Sequence, residues 1–333
     1  MKITFFETTL EQEQYLKTRL KKHSLRFFRD KIEVKSLKLV KDTEVLGVFI
    51  GSTVDAEVLK ALPKLKLIVT MSTGYDHIDL ITCKKHKIVV ANVPFYGENT
   101  VAEHAFALLL SISRKIHQSY LRTSHGNFSN DGLQGFDLKG KTIGVIGTGH
   151  IGRHVIRMAR GFEMNILAFD MYPDKAWAKK QGISYVTLPT LLKKSDIVTL
   201  HVPYMKATHH LLNKKNIALM KKGAVLINTA RGGLVDTVAM VKALQTGKLQ
   251  ALGLDVFEGE QQIKEEAQLL TKDFTREELI VNIENHLLMH SDKVVLTPHN
   301  SFNSKEALER ILATTVDNID QFVGKKKINN QVK

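Results

Sequence analysis

The stretch TIGVIGTGHIGRH, residues 142–154, sets three glycines, Gly147, Gly149 and Gly152, directly behind an apolar run that reads as a buried strand. A strand, a tight turn and a helix starting near His150 would aim backbone N–H groups and the positive end of a helix dipole at one point in space. Side chains at the first two glycines would block a pyrophosphate from that point, although a bare turn without a ligand explains the same spacing. Asp170 separates the two explanations. It lies 18 residues past Gly152, at the end of the next strand-like run, NILAF. A carboxylate there accepts hydrogen bonds from adenosine ribose hydroxyls and repels a 2'-phosphate, so the pair of features predicts NAD rather than NADP.

Outward from this stretch, short apolar runs alternate with helical patterns. One group of runs covers 3–6, 45–50, 67–70 and 88–91; a second covers 143–146, 166–169, 184–186, 197–200, 224–228, 251–254 and 294–297. That alternation predicts βαβ units and an α/β protein with parallel sheets. Between the groups, residues 100–119 contain neither Gly nor Pro, and their apolar density predicts one long, largely buried helix. The polar, glycine-rich HGNFSNDGLQGFDLKG that follows, 125–140, reads as a surface loop. The region 259–293 is polar at first (GEQQIKEEAQ), then helical through REELIVNIENHLLMH, and is expected to form a surface excursion.

A chain of 333 residues with 43% apolar and 25% charged residues is sized for two domains. Its longest uninterrupted apolar run, 105–110, is far too short to span a membrane, and the first residues lack a signal-peptide run, so a cytoplasmic protein without membrane partners is expected. The single cysteine, Cys83, excludes an internal disulfide and a multi-thiolate metal site, and no metal is expected. The formal charge of +14 invites a nucleic-acid reading. The lysine pairs, Lys21-Lys22 and Lys193-Lys194 among them, are scattered without interleaved aromatics. They predict a solvated basic surface that helps steer small anions, with no nucleic-acid partner.

Open parallel sheets bind ligands outside the carboxyl ends of their strands, so polar residues just past the strand runs carry most interest. Arg231 follows AVLINTA, Asp255 and Glu260 follow ALGL, and His299 follows VVLTP. Singly, each has a bland explanation: a helix-start charge, a solvated acid, a capping histidine. Jointly they suit reduction of a 2-keto acid. Arg231 can hold a carboxylate through two parallel N–H donors. His299 can protonate a developing alkoxide, and a carboxylate such as Glu260 favours the charged imidazole that this requires.

At this point the sequence resembles the D-isomer-specific 2-hydroxyacid dehydrogenases. The resemblance runs through MSTGYDHIDL, NVPFYGENTVAEHAFALLL, IGVIGTGHIGRH, LHVPYMKATHHLLN, INTARGGLVD, GLDVFEGE and LTPHNSF, in the family's order. It implies that Arg231, Glu260 and His299 are catalytic, matching the set read from the residues. It further implies NAD contacts at His150, Ile151, Asp170, Val202, Pro203, Thr208, Thr229 and Ala230, besides the three glycines, with Asp255 facing the nicotinamide amide. Thr73 and Gly74 match the family's substrate loop, opposite Arg231, and Tyr96 matches a tyrosine of the lactate-type branch.

The EGE at 258–260 also resembles the D-lactate branch, whereas Phe302 stands where lactate-type members often carry tyrosine. The implied substrate is a small 2-keto or 2-hydroxy acid, pyruvate and D-lactate foremost. The implied architecture is a Rossmann NAD-binding domain, residues 100–299, inserted into a flavodoxin-like substrate domain made of 1–99 and 300–333. A homodimer through the nucleotide-binding domains is expected. One branch resembling this family consists of NAD-responsive corepressors that bind partner proteins, and this is the alternative function.

Overall fold

The computed structural model describes residues 1–260 and 275–332. The chain divides into two compact units, Met1–Tyr96 with Ser304–Lys333, and Gly97–Asn303.

In the first unit β1 (Lys2–Phe5), β2 (Ser24–Phe27), β3 (Val45–Val48), β4 (Leu67–Thr70) and β5 (Val89–Ala91) form a parallel sheet in the order β2-β1-β3-β4-β5. This is the flavodoxin-like order. β3 and β4 are buried at every position, as strands covered on both faces must be. β2 is different. Its sequence, SLRF, is no apolar run, and none of its residues is buried. It is held at the sheet edge by Phe27 stacked on Phe5 at 5.5 Å and by a bidentate pair from Arg26 to Asp42, 2.6 and 3.0 Å.

In the second unit β6 (Thr142–Ile146), β7 (Asn165–Phe169), β8 (Ser184–Tyr185), β9 (Ile197–Leu200), β10 (Ala224–Asn228), β11 (Leu249–Leu254) and β12 (Val294–Leu296) form a parallel sheet, β12-β11-β10-β9-β6-β7-β8. Successive strand residues point to opposite faces, and each face has its own core. Along β10, Val225 and Ile227 belong to a cluster with Phe106, Leu109 and Ile112, whereas Leu226 belongs to one with Leu191, Leu244 and Leu252. The strand order reverses at β6, between β7 and β9, which is the switch point where doubly wound sheets open a ligand crevice.

The expected single helix over 100–119 is two. One spans Glu98–Ser113 and the next Ile116–Ser124. Between them Lys115 takes a left-handed backbone, φ 55°, and the carbonyl of Ser113 is diverted to accept from the Phe136 N–H at 2.9 Å. Of the polar stretch expected to open the surface excursion, only Gly259 and Glu260 fall inside the described residues; 261–274 lie outside them. The helix expected after it is Arg276–Met289, begun by a reciprocal cap between Thr275 and Glu278.

Candidate active site

The glycine turn is built around close approaches. Gly147 has φ 94°, and a Cβ there would sit 2.7 Å from the carbonyl of His201; one on Gly152 would sit 2.0 Å from the Gly147 oxygen. These two glycines bring the helix His150–Gly161 down onto β6. Gly149 differs, because a Cβ there would meet no atom of the described residues within 4 Å. Its bareness answers to no neighbour among the described residues and leaves the room a pyrophosphate needs at the helix N-terminus. His150 opens that helix with its side chain largely exposed and Nδ1 3.4 Å from Glu98 Oε1, and Ile151 is half-buried.

Asp170, past β7, is held rather than free to swing. Its Oδ2 accepts from the Thr148 N–H at 2.7 Å and the Thr148 hydroxyl at 2.9 Å, and its Oδ1 accepts from the Tyr172 N–H at 2.9 Å. A threonine hydroxyl has one proton, so the Tyr185 hydroxyl, 2.6 Å away, donates to it. Thr148 and Tyr185 escaped the sequence reading; the available signal was a threonine set between two glycines of the turn. Elsewhere around the crevice, the Thr208 hydroxyl donates to Pro203 O at 2.8 Å, closing the turn that begins at half-buried Val202. Ala230 N–H donates to Asn228 Oδ1 at 3.0 Å. The hydroxyl of buried Thr229 has no hydrogen-bond partner among the described residues. The bare Gly149, this hydroxyl and the oriented Asp170 together fit a dinucleotide.

The expected catalytic residues lie on loops that the sheet ends hold together. Arg231 follows β10, its carbonyl accepting from Asn228 Nδ2 at 2.9 Å and its Nη1 donating to Ala230 O at 2.8 Å. Its neighbour Gly232 lies against the loop after β11, where a Cβ would come 2.1 Å from the carbonyl carbon of Phe257. That loop is tied on three sides. Glu258 pairs with His210 Nε2 at 2.8 Å and accepts from the Thr237 hydroxyl at 3.0 Å, and its carbonyl accepts from Asn285 Nδ2 at 2.7 Å. Among the described residues, His209, His210 and Glu258 are the one group offering metal-ligand atoms within 4.8 Å of one another.

Two residues beyond Glu258, Glu260 Oε1 lies 2.6 Å from His299 Nδ1, with both side chains mostly buried. A carboxylate can only accept, so Nδ1 carries the hydrogen and Nε2 is the nitrogen left to face a reacting oxygen. Asp255 follows the end of β11. It is fully buried, and its carboxylate accepts from the Thr297 hydroxyl at 2.6 Å and the N–H groups of Asn300 and Ser301 at 3.0 and 2.9 Å. Burial would lift its carboxyl, but hydrogen bonds from His104, Thr297 and Ser301 outweigh this and hold it below the usual range. The acid therefore grips the turn carrying His299.

Thr73, Gly74 and Tyr96 belong to the first unit, and Arg231, Glu260 and His299 to the second. The Thr73 hydroxyl donates to Val93 O at 2.9 Å, Gly74 O accepts from Ser72 Oγ at 2.6 Å, and Tyr96 O accepts from Arg310 Nε at 2.6 Å.

Residues 106–301 match the family described as D-isomer specific 2-hydroxyacid dehydrogenase, NAD binding domain. The chain is 38% identical to 2-hydroxyacid dehydrogenase homolog 1 of Schizosaccharomyces pombe, covering 97% of this chain and 96% of that protein. It is 36% identical to D-lactate dehydrogenase of Escherichia coli, covering 96% of each. The structure of D-lactate dehydrogenase from Aquifex aeolicus complexed with NAD and lactic acid superposes with a TM-score of 0.88 at 37% identity, over 99% of this chain and 98% of that one. With a glycine turn that leaves room for a pyrophosphate and relatives matching from end to end, the chain belongs to the D-isomer-specific 2-hydroxyacid dehydrogenases, on the D-lactate dehydrogenase branch, as an NAD-dependent oxidoreductase.

Proposed function

We propose that this enzyme reduces pyruvate to D-lactate in the cytoplasm, as a homodimer, with Arg231, Glu260 and His299 carrying the reaction. The observation that bears most weight is the 2.6 Å pairing of His299 Nδ1 with Glu260 Oε1. When bound, NADH supplies the hydride that reaches the carbonyl carbon. The guanidinium of Arg231 holds the substrate carboxylate through a planar fork that a point charge could not match. His299 gives its Nε2 proton to the oxygen that becomes the alcohol, and Glu260 keeps Nδ1 protonated and balances the imidazolium charge. The gripped Asp170 and the buried Thr229 hydroxyl belong to the cofactor side of the site. Choice of pyruvate rests on the relatives named D-lactate dehydrogenase and on the lactic acid held by the Aquifex aeolicus enzyme.

The test is NADH oxidation with pyruvate, glyoxylate, hydroxypyruvate, a branched-chain keto acid and phenylpyruvate. The highest kcat/KM should fall on pyruvate, with D-lactate as the product. A higher value for an aromatic or branched acid would displace pyruvate. Turnover with none of them would remove pyruvate as the substrate.

A further inference from the structure

We propose that His104 and Thr297 are positioning residues for His299, acting through the buried carboxylate of Asp255. This rests on the reading of His299 as proton donor and adds a device that sets its geometry.

The device begins with strain. His299 has φ 55°, a left-handed conformation that is uncommon outside glycine and persists only where the surroundings over-determine it. Here one carboxylate holds the turn on both sides of His299. Thr297, two residues before His299, and Asn300 and Ser301, immediately after it, all donate to Asp255 at 2.6, 3.0 and 2.9 Å. Asp255 is itself anchored, because its N–H donates to Asn228 O, at the end of β10, at 3.0 Å. Both flanks of the strained residue are thus fixed to one point at the sheet end.

His104 completes the arrangement from a different element, the middle of the helix Glu98–Ser113. Its Nε2 lies 2.9 Å from Thr297 Oγ1 and 3.5 Å from Asp255 Oδ1. The Thr297 proton is directed at Asp255, so the threonine oxygen accepts from His104, whose hydrogen is therefore on Nε2. The relay runs one way, His104 to Thr297 to Asp255. It gives a buried anion the donors that burial demands and locks the rotamer of the residue that begins the His299 turn. A displacement of about 1 Å at a reacting group can cost roughly 100-fold in rate, so slack in this turn would appear as lost turnover.

The variants are Thr297→Val, Thr297→Ser, His104→Leu and, as a reference, His299→Gln. For each, kcat and KM for NADH and pyruvate, the NADH Kd by nucleotide fluorescence and the Tm are measured on the full chain. Thr297→Val and His104→Leu should lower kcat by about 10- to 100-fold, with the NADH Kd within about 3-fold of the parent. Thr297→Ser, which keeps the hydroxyl, should restore turnover. A kcat within about 3-fold of the parent in Thr297→Val and His104→Leu, while His299→Gln loses about 100-fold or more, would overturn the proposal and leave His299 in its role. An unimpaired His299→Gln would instead remove the reading on which it rests. Should Thr297→Val not fold, His104→Leu decides alone, since the His104 side chain is 21% exposed and tolerates truncation better.

Discussion

At Asp170, cofactor preference depends on orientation as much as on charge. Thr148 occupies one carboxylate oxygen with two donors, and Tyr172 meets the other. We expect Asp170→Ser to narrow the ratio of kcat/KM for NADH over NADPH by removing the charge that repels a 2'-phosphate. Thr148→Val should narrow it partway by freeing the carboxylate to swing. An unchanged ratio in Asp170→Ser would take Asp170 out of the specificity site. Arg231→Lys should keep its charge and fold but lose about 2 to 5 kcal/mol of transition-state binding, seen with the keto acid and not in the NADH Kd. Loss of NADH binding with keto-acid kinetics intact would move Arg231 to the cofactor side. Residues of this kind were legible in the sequence because each follows a strand run directly. Thr148, Tyr185 and His104 were not. Each acts by bonding to another residue, and a turn threonine or a helical histidine carries no periodic signal of such work.

Strands and helices were legible where burial imposes a pattern. β3, β4, β9 and β10 are buried throughout and stand out as unbroken apolar runs. β2 does not, being a half-exposed edge held by Phe27 and Arg26. The break at Lys115 was invisible because no Gly or Pro marks it; a tertiary hydrogen bond from Phe136 to Ser113 accompanies it. At this scale the loops after β10 and β11 make a sharp test. Gly232→Ala would place a Cβ where Phe257 backbone already stands, forcing apart the loops that carry Arg231 and Glu260. The expected cost is about 1 to 3 kcal/mol, read from the denaturation midpoint, together with a fall in kcat/KM; a midpoint and activity equal to the parent would show the loops to be independent. In the first unit, Cys83 lies buried in the helix Leu80–Lys85, and burial, helped by Asp79, pushes its thiol up to about 11. A thiol reagent at pH 8 should label the native protein far more slowly than the unfolded chain, and equal rates would refute its enclosure.

For the whole molecule, the fold class was legible because two separate groups of strand runs demand two parallel sheets. The edge order of each sheet is a property of crossovers and appears in no local stretch. Its surface carries a further consequence. The helix Ile116–Ser124 leaves Ile116, Tyr120 and Leu121 exposed, Tyr120 by 71%, and the helix Arg276–Met289 exposes Leu279, Ile283 and Leu287 at helical spacing. The first of these helices reaches the segment just past the second, where Gln118 Nε2 donates to the Asp292 carbonyl. Monomers rarely leave large contiguous apolar patches open to water, and each such side chain gains about 1.5 to 3 kcal/mol when fully covered. A second copy of the same face is the natural cover, since a two-fold interface is built from one patch meeting itself. Sedimentation at micromolar concentration should therefore give twice the 37.5 kDa of the chain. Tyr120→Glu, which places a charge where the partner would sit, should shift the particle toward one chain without lowering its helical content. A parent that sediments as a single chain, or a Tyr120→Glu variant that stays as large as the parent, would move the interface elsewhere or abolish it.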